Sequence, residues 1–233
     1  MTLTHIWAIS KKQGKDTLKN KSVFLPFLIF PVMAVVMEHV VEVPGMPENY
    51  FVTLFAVMYL GMAPLASMAA LLAEEKETYT LRMLRLAGVK PAEYLLGAGG
   101  FLFLFCLAGL LIFGAVSTWR GRELWAFLGL MTIGVLISLL VGATIGILSK
   151  NQPAANAASM PVMMIVSFLP MLSMFNDTIK GLGRIFYTCQ LHRLLMQSAG
   201  PGVDVEALSV IFGNFLFFIL LFGIVYRRRN GVY

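Results

Sequence analysis

Six runs of about twenty mostly apolar residues dominate the 233-residue chain, at 22–41, 51–72, 94–117, 124–148, 154–175 and 207–226. A helix needs about 20 such residues to cross the hydrocarbon core of a bilayer. A helix also satisfies its backbone polar groups within the segment, which a membrane interior demands. The runs therefore predict an all-α, polytopic membrane protein with six transmembrane helices. They use so much of the length that no separate soluble domain fits, and residues 1–233 read as a single transmembrane domain. Composition agrees: 58% of residues are hydrophobic and 13% charged, against about 25% charged in a soluble domain. Pro161 and Pro170 interrupt the fifth run, which a membrane helix tolerates when neighbours satisfy the freed carbonyls.

Basic residues orient the chain, because loops rich in Lys and Arg stay on the cytoplasmic side. With the N-terminus inside, the inner segments hold Lys11, Lys12, Lys15, Lys19, Lys21, Lys76, Arg82, Arg85, Lys90, Lys150, Arg227, Arg228 and Arg229. The outer segments hold Arg120, Arg122, Lys180, Arg184 and Arg193. Thirteen against five places both termini in the cytoplasm of a multi-pass cell-membrane protein. The net charge of +6 then points to anionic lipid headgroups as partners and not to nucleic acid. Residues 1–21 predict an interfacial helix, with Leu3, Trp7, Gly14 and Leu18 near one face and Lys11, Lys15 and Lys19 on another. The polar opening and the absence of an Ala-x-Ala-like site argue against a cleaved signal peptide.

No Asp, Glu, Lys or Arg falls in the middle of a span, and no metal-ligand spacing or catalytic pair is present. Metal and catalytic residues are therefore expected to be none. Gly134, Ser138, Gly142 and Gly146 recur every four residues in the fourth run. Small residues at that spacing let two helix backbones approach closely, and an internal packing seam is the expected use. Gly97, Gly99 and Gly100 lack the Lys-Ser/Thr of a phosphate loop and read as close helix packing too. Asn214, an amide within the last run, either lines a pathway or bonds a neighbouring helix. Residues 176–205 carry Ile179, Leu182, Ile185 and Phe186 at helical spacing, followed by Leu191, Leu194 and Leu195. An exposed loop with that much apolar surface would cost about 25 cal/mol per Å². A re-entrant helical segment dipping into the outer leaflet is expected.

The inner segment 73–90 is the most informative. Glu74, Glu75, Lys76 and Glu77 come first, then Thr80, Leu81, Arg82, Leu84 and Arg85, with Gly88 and Pro91 to end the helix. Acids before bases complement a helix dipole. The expectation is a short charged helix with an apolar edge, suited to a groove on another protein; a solvated turn is the plainer alternative.

The pattern Glu-Glu-Lys-Glu-x-x-Thr-Leu-x-x-Leu from Glu74, followed by Pro-x-Glu-Tyr-Leu-Leu-Gly from Pro91, resembles the first coupling helix of ABC type-2 (ABC-2) permeases. Tyr79 stands where many members have glycine. The surface helix, six spans and long segment between spans five and six agree along nearly the whole length. The stretch from Lys150-Asn-Gln to Ser173-Met-Phe resembles Firmicute peptide exporters, including the phenol-soluble modulin type. The resemblance implies a bacterial permease subunit that is not itself an enzyme. A second permease subunit would complete a twelve-span core, a homodimer being favoured over a heterodimer. Each subunit would contact a separate cytoplasmic ABC ATPase, which binds ATP and Mg, so no cofactor is expected in this chain. Glu74 to Arg85 would form the coupling interface, with Asn151 and Gln152 as a smaller second contact. Amphipathic or hydrophobic peptides are the implied cargo. A self-protection pump against antimicrobial peptides is the alternative within transport, and a membrane scaffold or sensor the alternative outside it.

Overall fold

The computed structural model describes residues 3–19, 21–41, 44–80, 83, 86, 88, 91–197 and 204–230. The described chain is all-helical: α1 (Leu3–Lys19), α2 (Lys21–Val40), α3 (Tyr50–Glu77), α4 (Pro91–Val116), α5 (Arg122–Leu148), α6 (Gln152–Ser173), α7 (Asp177–Gly183), α8 (Tyr187–Met196) and α9 (Val205–Asn230). Five helices, α3 to α6 and α9, are long and apolar enough to cross a membrane, and α2 supplies a shorter apolar stretch, Phe24–Val40. Pro161 and Pro170 lie inside an unbroken α6.

The bundle is built around α3, which packs against α2, α4, α5, α6 and α8. Its most apolar window is 83% buried, against 6% for that of α9. The less apolar of the two is the more buried, which identifies α3 as the core and α9 as a peripheral helix whose Phe212, Leu216, Phe217 and Leu220 point away from the protein. Glycines set the closeness of the core. A Cβ at Gly142 would collide with the carbonyl oxygen of Leu65, and one at Gly146 would lie 2.7 Å from that of Ala69. A Cβ at Gly134 would reach Leu60 Cδ1 at 2.5 Å. Gly134, Gly142 and Gly146 thus lie on the α3-facing side of α5, with Ser138 buried among them. On another side of α3, Gly61 meets Ser167 of α6, whose hydroxyl donates to the Met58 carbonyl at 3.2 Å. The glycines at the start of α4 differ. The Gly97 carbonyl accepts from Ser10 at 2.7 Å, Gly99 has ordinary contact room, and Gly100 faces open space. Close packing there is not general, because α1 touches α4 through side chains.

The stretch between α6 and α9 folds back into the bundle. Tyr187 and Ser138 share a hydroxyl–hydroxyl hydrogen bond of 2.7 Å. Ser138 lies sixteen residues into α5, about 24 Å from its start at 1.5 Å per residue. Leu191, one turn later, touches the Gly134 position. Asn214 Nδ2 donates to the Ile185 carbonyl at 2.9 Å, so the α7–α8 corner is held well down the length of α9. Asn214 therefore ties this corner and its own Val210 carbonyl. Burial differs sharply along the segment: Tyr187, Thr188, Gln190, Leu191, His192 and Leu195 are buried in α8, while Asp177, Thr178, Lys180 and Leu182 of α7 are exposed. Amide exchange in a lipid nanodisc should be at least a hundredfold slower across α8 than across α7. Equal and rapid exchange in both would contradict the buried position of α8.

At the α2–α3 turn the carboxylate of Glu38 accepts from the backbone N–H of Asn49 (2.9 Å) and Val52 (3.2 Å). An anion at the start of α3 satisfies amides that have no partner within the helix. Asn49 has φ 61° and clasps Thr118 by two hydrogen bonds, Nδ2 to Oγ1 at 2.8 Å and Oδ1 from the amide at 2.7 Å. These contacts fix the end of the bundle opposite the lysines of α1.

Candidate functional site

The described residues among those expected to contact a partner gather where α3 ends. The acids of the motif do not open a new helix. α3 continues through Glu77, and the break comes at Thr78 and Tyr79, where Tyr79 takes φ 55°. The single helix expected over 73–90 is therefore divided. Thr78 closes α3 by returning its amide and hydroxyl to the Glu74 carbonyl, each at 2.9 Å. Tyr79 in the left-handed region then turns the chain, as a glycine would at lower cost. Thr80 begins the next helical stretch, its hydroxyl 2.8 Å from that of Thr78. Leu81, Arg82, Leu84 and Arg85 lie outside the described residues. Met83 and Leu86 are described, and both are well exposed.

With Glu74, Glu75 and Glu77 at the end of α3, the helix dipole disfavours them, and neighbouring elements compensate. Glu75 is buried, with one oxygen on Lys12 of α1 at 2.8 Å. Its second oxygen and the Tyr94 hydroxyl are both buried without a hydrogen-bond partner among the described residues. Lys76 reaches the end of α5, donating to the carbonyls of Ile147 (3.0 Å) and Ser149 (2.5 Å). Glu77 accepts from the Gln152 amide at 3.0 Å, at the start of α6. The Asn151 side chain caps the same helix, accepting from Ala154 N–H at 3.0 Å. The α3 exit and the α5–α6 corner, which sequence could only name separately, thus meet, and Glu75, Lys76, Glu77, Asn151 and Gln152 all make contacts within the chain. Glu74 and Glu77 are the exposed acids of this group and Glu75 the buried one.

α1 completes the surface. It lies along α4, held by Ser10 to the Gly97 carbonyl, by His5 Nδ1 to Glu93 at 3.2 Å, and by Gly14 against the Phe101 ring. Its buried side is Ile9, Gln13 and Thr17. Trp7, expected on the apolar face, is 67% exposed with Lys11 over its ring at 5.1 Å. The side chains of Leu3 and Leu18 lie outside the described residues. Lys12 is half-exposed while Glu75 is 7% exposed, so losing the lysine strands a buried carboxylate, which costs more than the roughly 1–3 kcal/mol of a neutral group. Lys12→Glu should speed amide exchange of α1 at least tenfold, and adding Glu75→Lys should recover most of the protection. Unchanged exchange in the single variant would show that other contacts hold α1.

Buried polar groups also cluster on α8, where Thr188 Oγ1, Gln190 Oε1 and His192 Nε2 find no hydrogen-bond partner among the described residues. Sequence reading missed them, because it traced only the apolar spacing of this segment and gave no sign of which polar side chains would be buried. No group of three or more His, Cys, Asp or Glu side chains able to hold a metal occurs among the described residues.

An apolar bundle whose polar contacts concentrate at the helix ends belongs to the class of multi-pass membrane proteins. Residues 42–227, about four-fifths of the chain, match the family described as ABC-2 family transporter protein. The chain belongs to that family, whose members are the membrane components of ABC transporters and work with an ABC ATPase. No curated protein matches the sequence.

Proposed function

We propose that this chain is the permease subunit of an ATP-driven exporter, that two copies form the translocation pathway, and that a separate ATPase drives it from the cytoplasmic side. The observation that carries the reading is the surface at the end of α3. Tyr79, Met83 and Leu86 are 68%, 64% and 83% exposed in the stretch that follows Glu77, which itself meets the α5–α6 corner. Exposed apolar side chains in a segment that also carries charge suit a partner groove. In this orientation both termini are cytoplasmic and α1 rests on the inner headgroups, with Trp7 and Lys11 turned to lipid. The α7–α8 segment dips into the outer leaflet and closes the pathway from outside.

Amphipathic or hydrophobic peptides are the proposed cargo. Support comes from the apolar spans, which carry no acid or base at mid-depth to serve an ion-coupled carrier, and from the resemblance of residues 150–175 to peptide exporters. The test is co-expression with the cognate ABC ATPase, purification and reconstitution into nanodiscs. The expected result is a complex of two permeases and two ATPases whose hydrolysis rises several-fold with an amphipathic helical peptide and not with a scrambled hydrophilic one. Failure of the ATPase to co-purify would overturn the coupling. A single permease per complex would overturn the homodimer, and stimulation by both peptides alike would overturn the cargo.

A further inference from the structure

Lys76 and Glu77 stand next to each other at the end of α3 and bind opposite ends of two other helices. Lys76 Nζ donates to the Ile147 and Ser149 carbonyls, at the end of α5 where the helix carries partial negative charge. Glu77 accepts from the Gln152 amide, at the start of α6 where it carries partial positive charge. Each charge matches the dipole it meets, and charge-assisted hydrogen bonds are about twice as strong as neutral ones. The connection from Leu148 to Gln152 is too short to allow the two helix ends independent movement. The same three helices are also in closest contact along their length, at Gly142 with Leu65, at Gly146 with Ala69, and at Gly61 with Ser167.

We infer that Lys76 and Glu77 are positioning residues that clamp α3, α5 and α6 into one moving body, so that displacement of either inner segment carries the other with it. The clamp rests on the proposed ATPase coupling only for the source of the displacement. Its residues decide whether a push on the α3 exit reaches the α5–α6 corner. α1 joins the same body through Lys12 and Glu75, while α9, little buried and tied to the α7–α8 corner by Asn214, lies at its edge.

The experiment uses a background with Cys106 and Cys189 replaced, and cysteines introduced at the exposed positions Thr78 and Lys150. Bifunctional thiol reagents of graded length measure the span between them in the permease–ATPase complex, free of nucleotide and trapped with ADP and vanadate. The same reagent length should work best in both states of the parent, because the two segments move together. In Lys76→Met/Glu77→Ala the best length should change between states, and stimulation of hydrolysis by an amphipathic peptide should fall at least fivefold with the ATPase still bound. Lys76→Arg alone should behave as the parent. A span that changes in the parent, or one that stays constant in the double variant, would overturn the clamp. If no ATPase binds the parent, the coupling reading fails and the clamp is judged on the permease alone. Exchange of the amides at 149–152 should then be at least tenfold faster in the double variant and normal in Lys76→Arg. Equal exchange would overturn it.

Discussion

Gly142→Leu is expected to abolish the folded protein, while Gly129→Leu, three and a half turns earlier in the same helix, leaves it intact. The Cβ alone at position 142 would collide with the Leu65 carbonyl oxygen, a backbone atom that cannot rotate away, so α3 and α5 must separate. Separation would loosen the Gly146 contact with Ala69 and the Gly134 contact with Leu60 and Leu191 at the same time. Overpacking of a core usually costs about 1–3 kcal/mol. Here it falls on the helix that holds the others together, and a domain has roughly 5–15 kcal/mol of stability to lose. A Cβ at Gly129 meets nothing within 4 Å. Both variants add the same apolar side chain to the same apolar helix, so insertion propensity is matched. Size-exclusion profiles of detergent-solubilised protein should show Gly142→Leu mainly aggregated and Gly129→Leu as a sharp parent-like peak. Equal profiles would remove the seam from the list of what holds the bundle.

The spans were legible because a bilayer tolerates few alternatives: about twenty apolar residues must be helical, and 51–72, 94–117 and 124–148 fall within α3, α4 and α5 almost residue for residue. The seam was legible for a related reason, since small residues every four positions in an otherwise bulky helix leave a groove that another helix must fill. What could not be read were contacts whose second partner is a backbone atom. Lys76 finds the carbonyls of Ile147 and Ser149, Glu77 the amide of Gln152, Glu38 the amides of Asn49 and Val52, and Asn214 the carbonyl of Ile185. Every residue has such groups, so sequence gives no sign of which one will be unsatisfied and near. The acidic motif was consequently read as the start of a helix, and most of its charges turn out to serve helices remote in sequence. The buried side of α1 was hidden differently. Apolar content pointed to Trp7, yet Gln13 and Thr17 are buried because Gln13 can donate to the Thr17 hydroxyl, at 3.2 Å.

The combined change Leu84→Asp, Arg82→Glu and Arg85→Glu is expected to separate the permease from its ATPase without unfolding it. These residues follow the turn at Tyr79, beyond the point where Lys76 and Glu77 bind inside the chain, and Met83 between them is exposed. The contacts described above that hold α3, α5 and α6 do not involve them. In a partner groove, Leu84→Asp would place a carboxylate where an apolar side chain is expected, and the two reversals would replace bases by acids. Leaving a buried charge without its partner costs about 3–5 kcal/mol, more than a hundredfold in affinity at 1.4 kcal/mol per factor of ten. Co-purification of the ATPase should therefore be lost, while expression and the size-exclusion profile of the permease alone match the parent. That pattern differs from Gly142→Leu, which should lose both, and from Lys76→Met/Glu77→Ala, which should keep the ATPase and lose peptide stimulation. A triple variant that still co-purifies with the ATPase and still responds to an amphipathic peptide would falsify the docking role of the first inner segment, and the α5–α6 corner with Asn151 would then be the principal contact to test.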